Sequence, residues 1–383
     1  MLYLVYRFLI PYYKTLRLFG YVNFRAILAA ITGFLLAIYL GRRMILLLFK
    51  MGFVDYSRKY HGMESQAHSV LDAGGKKGTV QMGGIIFILS TIISSIICAD
   101  LGNRFVHILL FALIWFASMG LLDDYSKIKI YKDADKGLLR ITKLLLQAVF
   151  SLMLALFVSF EQVSPYSEGA DLEGAFFVPF MKEPLIHLPF FLYFILILFF
   201  VWVFTNGVNL TDGMDGLLAG SSVFTFGVYA VYAYIMGHLH WSDYLKFYWI
   251  EGASEISVFM AAFFGSVIGF LWYNSYPAQV FMGDSGSLSI GGVIVTTAVL
   301  IKQELLLFLA GFLFFIEMFS SFLQDQIGGV NNGGLNLGQR ILYRAPMHDH
   351  FRFKGYSESN LVIKLWIVAG LSSAVALLFI KLR

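Results

Sequence analysis

Apolar residues along the chain gather into long runs broken by short polar stretches, and the runs are of a length that crosses a bilayer core as a helix, about 20 residues. Ten such runs lie near 24–42, 83–99, 105–122, 144–160, 188–206, 217–236, 256–273, 286–301, 303–323 and 361–380. They predict an all-α polytopic membrane protein with ten transmembrane helices. The eighth run is short, and only Lys302, Gln303 and Glu304 divide it from the ninth. Composition agrees with this pattern: of 383 residues, 58% are hydrophobic and 14% charged, with a mean hydropathy of +0.74. A soluble domain would carry roughly a quarter charged residues. No internal repeat or low-complexity tract divides the chain, which reads as a single domain over 1–383. The aromatic and basic N-terminus, 1–22, lacks the apolar core of a cleavable signal and reads as an interfacial segment. Cys98, the one cysteine, lies inside an apolar run and excludes an intrachain disulfide.

The formal net charge of +4 matters less than its distribution. The first loop carries Arg42, Arg43, Lys50, Arg58, Lys59, Lys76 and Lys77; the third carries Lys127, Lys129, Lys132, Lys136, Arg140 and Lys143. The ninth adds Arg340, Arg344, Arg352 and Lys354, whereas the even-numbered loops hold only Arg104, Lys182, Lys246 and Lys302. By the positive-inside rule the odd loops face the cytoplasm and, with ten spans, both termini lie outside. The acidic segment 161–183 falls on the outer side in this scheme.

Every unusual polar cluster then falls on the cytoplasmic side: GGKKGTVQMGG (74–84), GLLDDYSK (120–127), NLTDGMDGLLAG (209–220), NSYPAQVFMGDSGS (274–287) and RAPMHDHF (344–351). Asp123 and Asp124 end the third span, where the helix dipole and their mutual repulsion disfavour charge. A solvated acidic helix end explains them, and so does a divalent cation such as Mg²⁺, which takes carboxylate and phosphate oxygens. Asn209, Asp212 and Asp215 recur every third residue among glycines, with no basic partner in their loop, which exceeds what a turn requires. Asp284, between Gly283 and Gly286, reads as a helix N-cap or as a metal ligand beside a phosphate-binding helix start. Lys76 and Lys77 lack a full phosphate-loop pattern but can meet phosphate as point charges. His348 and His350 flank Asp349; without cysteine or an evident third ligand they suit an anion-binding lid or acid–base work better than a zinc site. Nucleophilic triads and nucleic-acid modules find no support.

Taken together, KKGTVQMGG, GLLDDYSK, TNGVNLTDGMDGLLAG, WYNSYPAQVFMGDSGSLSIGG and APMHDHFRFKG resemble, in order and topological position, the phospho-N-acetylmuramoyl-pentapeptide transferase family. That family belongs to the polyprenyl-phosphate N-acetylhexosamine-1-phosphate transferases, and the resemblance runs from about residue 25 to the C-terminus. It implies ten transmembrane helices in a bacterial cytoplasmic (inner) membrane and a reaction at the cytoplasmic face in peptidoglycan synthesis. UDP-MurNAc-pentapeptide would give its phospho-sugar to undecaprenyl phosphate, yielding lipid I and UMP, with Mg²⁺ as cofactor and commonly a homodimer as the working form.

Position by position, the resemblance makes Asp123, Asp124, Asp212 and His348 catalytic candidates. Asp284 matches a magnesium ligand, shared with Asp124 or Asp212, and Asp123 matches a base acting on the lipid phosphate. Lys76, Asn209, Lys127 and His350 match substrate-binding positions, and Phe281 an aromatic that stacks on uracil. Two departures stand out: Asp349 replaces the middle member of a usual histidine triplet, and Gly78-Thr79-Val80-Gln81 replaces the usual Gly-Thr-Pro-Thr. Direct attack by the lipid phosphate is expected rather than an aspartyl-phosphate intermediate. The rival readings are an N-acetylglucosamine-1-phosphate transferase acting on undecaprenyl phosphate, and a secondary transporter.

Overall fold

The computed structural model describes residues 1–10, 12–54, 79–131, 137–167, 171–179, 181–326 and 341–381. Lys76, Lys77, Arg58, Lys59, Lys132, Lys136 and Arg340 lie outside the described residues. Helices dominate. They are α1 (Leu2–Leu9), α2 (Val22–Lys50), α3 (Gly84–Cys98), α4 (Arg104–Tyr125), α5 (Arg140–Ser159), α6 (Phe190–Thr211) and α7 (Leu217–Met236). After these come α8 (Leu239–Tyr244), α9 (Ser254–Asn274), α10 (Gly283–Leu300), α11 (Leu307–Ala310), α12 (Phe312–Gln326), α13 (Met347–Phe353) and α14 (Glu358–Leu378). A two-residue antiparallel pair, β1 (Ala175–Phe176) with β2 (Ile186–His187), is the sole sheet among the described residues.

Among the described residues, eight helices are long and apolar enough to cross a membrane: α2, α4, α5, α6, α7, α9, α10 and α14. The second and ninth predicted spans differ in kind. Helix α3 has 15 residues, and the ninth run is split into α11 and α12 at Gly311. The eighth run, the short one, becomes the centre of the bundle. Helix α10 is 89% buried and packs against α3, α4, α6 and α7. Its modest apolarity has a physical reason: GDSGSLSIGGVIVTTAVL is rich in Gly, Ser and Thr. Small residues let helix backbones approach closely where lipid provides no hydrophobic drive between helices. The hydroxyls of Ser289, Thr296 and Thr297 donate to carbonyls one turn back, so these three are satisfied within the helix itself.

Peripheral helices show the reverse pattern. Helix α2 exposes Ile27, Ile31, Leu35 and Tyr39 on one side and buries Arg25, Ala29, Gly33 and Ala37 on the other, against α9 and α3. Arg25 anchors this contact. Its guanidinium forms a two-pronged pair with the Glu255 carboxylate at the start of α9, one prong at 2.7 Å, and donates to the Cys98 carbonyl at the end of α3 at 3.3 Å. Glu255 also accepts from Asp100 N at 2.9 Å, and Arg25 lies over the Tyr3 ring at 4.5 Å. One ion pair thus ties the termini of three helices to the N-terminal segment. Arg25→Ala leaves the Glu255 carboxylate buried without its partner, so it should cost roughly 3–5 kcal/mol. A clear fall in Tm of the detergent-solubilised protein is the expected result; an unchanged Tm would contradict the anchoring role.

Candidate active site

The site begins where α4 ends. The chain runs past Asp123 and Asp124 into a wider π-helical turn over Ser126–Tyr131, a local irregularity that recurs at functional sites. This turn brings Lys127 back over Asp123, with Nζ 2.7 Å from Oδ2. The same ammonium lies 2.9 Å from Asp284 Oδ2. Lys143, in the first turn of α5, repeats the arrangement: its Nζ is 2.7 Å from Asp123 Oδ2 and 3.2 Å from Asp284 Oδ2. Two carboxylates and two ammonium groups therefore form a closed ring of charge. Asp123 is fully buried, and its other oxygen accepts from Leu138 N at 2.6 Å. At such burial an unpaired charge would be costly, so each member needs the others.

Asp124 faces the other way. Its Oδ1 accepts from Asp284 N at 3.0 Å and its Oδ2 from Ser285 N at 3.1 Å. It therefore caps the N-terminus of α10 from a different helix, satisfying donors that a helix start leaves open. Gly283 permits the approach: it has φ +76, and a Cβ there would press on the Asp124 carboxylate. The N-cap foreseen for Asp284 itself is thus supplied by Asp124, and Asp284 points its carboxylate to the lysines.

Asn209, Asp212 and Asp215, which recur every third residue, take three different settings in the structure. Helix α6 runs further than its apolar stretch, so Asn209 is helical and donates to Ser287 Oγ on α10 at 2.8 Å. Asp212 is the C-cap of α6. Asp215 is buried and ties loops together. It accepts from Ala278 N at 3.1 Å, while its own N donates to Glu358 on α14 at 3.1 Å. Asn274 adds a second tie, accepting from Gly216 N and donating to the Val280 carbonyl. The loop so fixed carries Phe281, whose N donates to Val80 O and whose carbonyl accepts from Gly83 N, both at 2.8 Å.

His348 is buried on α13, and its Nδ1 lies 3.1 Å from Glu317 on α12. A Cβ added to Gly213 would collide with its Nε2, so the ring reaches the Asp212 turn. His350 is directed elsewhere: its ring stacks on Tyr343 at 5.4 Å and its Nδ1 accepts from Tyr343 N at 3.1 Å. Asp349, in the departure from the histidine triplet, pairs with Arg352 at 3.1 Å. The structure thus joins Asp123, Lys127 and Asp284 directly, brings Asp124 and Asn209 to the start of α10, and places His348 beside Asp212. Lys143 and Glu317 were not singled out from sequence. Lys143 is one of many basic loop residues, and Glu317 sits inside an apolar run, where an acid is itself a signal.

Among the described residues no group of three or more His, Cys, Asp or Glu side chains stands ready to hold a metal. The donors do suit Mg²⁺ in another sense. Asp123 and Asp284 offer hard carboxylate oxygens and already gather two cations, and Mg²⁺ commonly binds one or two carboxylates plus substrate phosphates and water.

A helical membrane protein with convergent carboxylates and lysines is the setting for chemistry on anionic substrates. Residues 106–302 match the sequence profile of Glycosyl transferase family 4, and the chain belongs to that family. It is similar to the phospho-N-acetylmuramoyl-pentapeptide-transferase of Desulfosudis oleivorans, at 37% identity over 365 residues, covering 95% of each protein.

Burial opposes the charge on His348, and the hydrogen bond and charge of Glu317 outweigh it, so its pKa is raised above 6.5. A pKa higher in the folded than in the unfolded state means the pair stabilises fully below the unfolded value. That contribution is lost as pH rises through the raised folded value. The Tm gap between wild type and His348→Gln should therefore be wider at about pH 5.5 than at about pH 8.5; a gap that widens with pH would contradict the pairing.

Proposed function

We propose that the protein transfers phospho-MurNAc-pentapeptide from UDP-MurNAc-pentapeptide to undecaprenyl phosphate, forming lipid I and releasing UMP in peptidoglycan synthesis. The observation that carries this reading is the Asp123–Lys127–Lys143–Asp284 ring on a chain that matches such a transferase over nearly its whole length. The setting proposed is the cytoplasmic face of a bacterial inner membrane, with ten spans that count α3 and the broken α11–α12 pair, both termini outside, and a homodimer as the working form.

Phosphoryl transfer between two anions is limited by repulsion and by alignment. The P–O bond to UMP breaks as an oxygen of the lipid phosphate bonds to the sugar phosphate. Lys127 and Lys143 are already assembled where they neutralise this charge, and incoming phosphate oxygens compete with the carboxylates for the same ammonium protons. That competition frees Asp123 Oδ2 to act on the acceptor. Asp284, with Asp212, would hold Mg²⁺, whose charge would supply electrostatic stabilisation of the diphosphate oxygens. His348 and the chain's Lys76 add positive groups around the diphosphate, and Phe281 stacks on uracil. Asp124 serves this chemistry by fixing the first turn of α10. Direct attack is favoured because both oxygens of Asp124 accept backbone N–H groups, leaving it none to act as a nucleophile. Asp123 is held through its other oxygen by Leu138 N, and the Oδ2 that the lysines release serves the lipid phosphate as a base.

The test is transfer of radiolabelled UDP-MurNAc-pentapeptide by the purified protein. Labelled lipid I and UMP should form only with both undecaprenyl phosphate and Mg²⁺ present, and UDP-N-acetylglucosamine should not replace the donor. Lys143→Ala should lower kcat by about 10²–10³-fold, the scale for removing one group that stabilises developing charge. UMP release without acceptor, or full activity in Asp284→Ala, would overturn the assignment.

A further inference from the structure

Glu317 is a buried acid inside an apolar run, and the reaction scheme does not use it. It lies on α12, fully buried, in the stretch FLFFIEMFSSFLQDQ. Its carboxylate meets one residue from both oxygens. Its Oε1 and Oε2 lie 3.2 and 3.4 Å from His348 N, and Oε2 lies 3.1 Å from His348 Nδ1. One turn on, Ser320 Oγ accepts from Met347 N at 3.0 Å. Helix α13, only seven residues long, is thereby fastened to α12 by its first turn.

An ionised carboxylate only accepts hydrogen bonds. A ring nitrogen 3.1 Å from it must carry the proton, so the neutral ring is the Nδ1–H tautomer and Nε2 is the variable nitrogen. That nitrogen reaches the Asp212–Gly213 turn, where glycine alone leaves room for it. Backbone and ring are held by the same carboxylate, so the imidazole has little freedom to tilt.

We propose that Glu317 is a positioning residue for the transfer reaction: it holds His348 with Nδ1 as the donor, so that the ring, when protonated, presents Nε2–H to the substrate diphosphate at the Asp212 turn. This rests on the proposed function for the identity of the substrate, and on geometry alone for the tautomer.

Glu317→Gln is the test, because the amide keeps the shape but can turn its NH₂ toward Nδ1 and favour the opposite tautomer. Wild-type transfer is measured first; a wild type that makes no lipid I would fail the proposed function and leave the Glu317 question to the second readout. In the active enzyme, Glu317→Gln should lower kcat about 10- to 100-fold, with KM for UDP-MurNAc-pentapeptide changing far less. It should add little to the defect of His348→Gln in the double variant, since both act through one ring. Independently of activity, ¹⁵N-histidine NMR in micelles should place the neutral His348 proton on Nδ1 in wild type and lose that preference in Glu317→Gln. Wild-type kcat in Glu317→Gln, losses that add fully in the double variant, or an Nε2–H tautomer in wild type would each overturn the proposal.

Discussion

The structure depends on one constraint: negative charge must be buried at the end of a helix bundle without being left alone. Asp123, on α4, and Asp284, on α10, share the ammonium groups of Lys127 and Lys143. None of the four could sit so deeply without the others, because desolvating a single ion costs several kcal/mol. The ring joins α4, α5 and α10 at the point where a phosphate would arrive. A site of this kind is preorganised, since its cations are already gathered and oriented before substrate binds.

The rest of the bundle serves that ring. Helix α10 carries Asp284 and is enclosed by α3, α4, α6 and α7, so its first turn is as fixed as the core. Asp124 seals the turn from α4 and Asn209 reaches it from α6 through Ser287. Asp215 and Asn274 pin the loop that delivers Phe281. Polar residues that looked like a single acidic motif thus divide their work: some face the charge ring, and others hold loops in register.

Much of this was legible in the sequence. Long apolar runs gave the helices, and α7 begins and ends where hydropathy placed it, at Leu217 and Met236. The motifs named the family and most of the residues that meet at the site. Two things were hidden for physical reasons. Hydropathy measures affinity for lipid, and α10 faces protein, so the most central helix looked the weakest. Partner identity is a tertiary fact: nothing in the spacing of Lys143 or Glu317 says that one closes the ring around Asp123 and the other holds His348. The regular three-residue spacing of Asn209, Asp212 and Asp215 likewise says nothing of their separate settings, because α6 ends between the first and the last of them.

The central claim is that Lys127 and Lys143 act as one unit through the carboxylates they share. A double-mutant cycle on kcat/KM for phospho-sugar transfer, with Lys127→Ala, Lys143→Ala and the pair, tests it most directly. The double variant should be little worse than the poorer single variant. Losses that multiply independently would contradict a shared ring and leave two unrelated lysines.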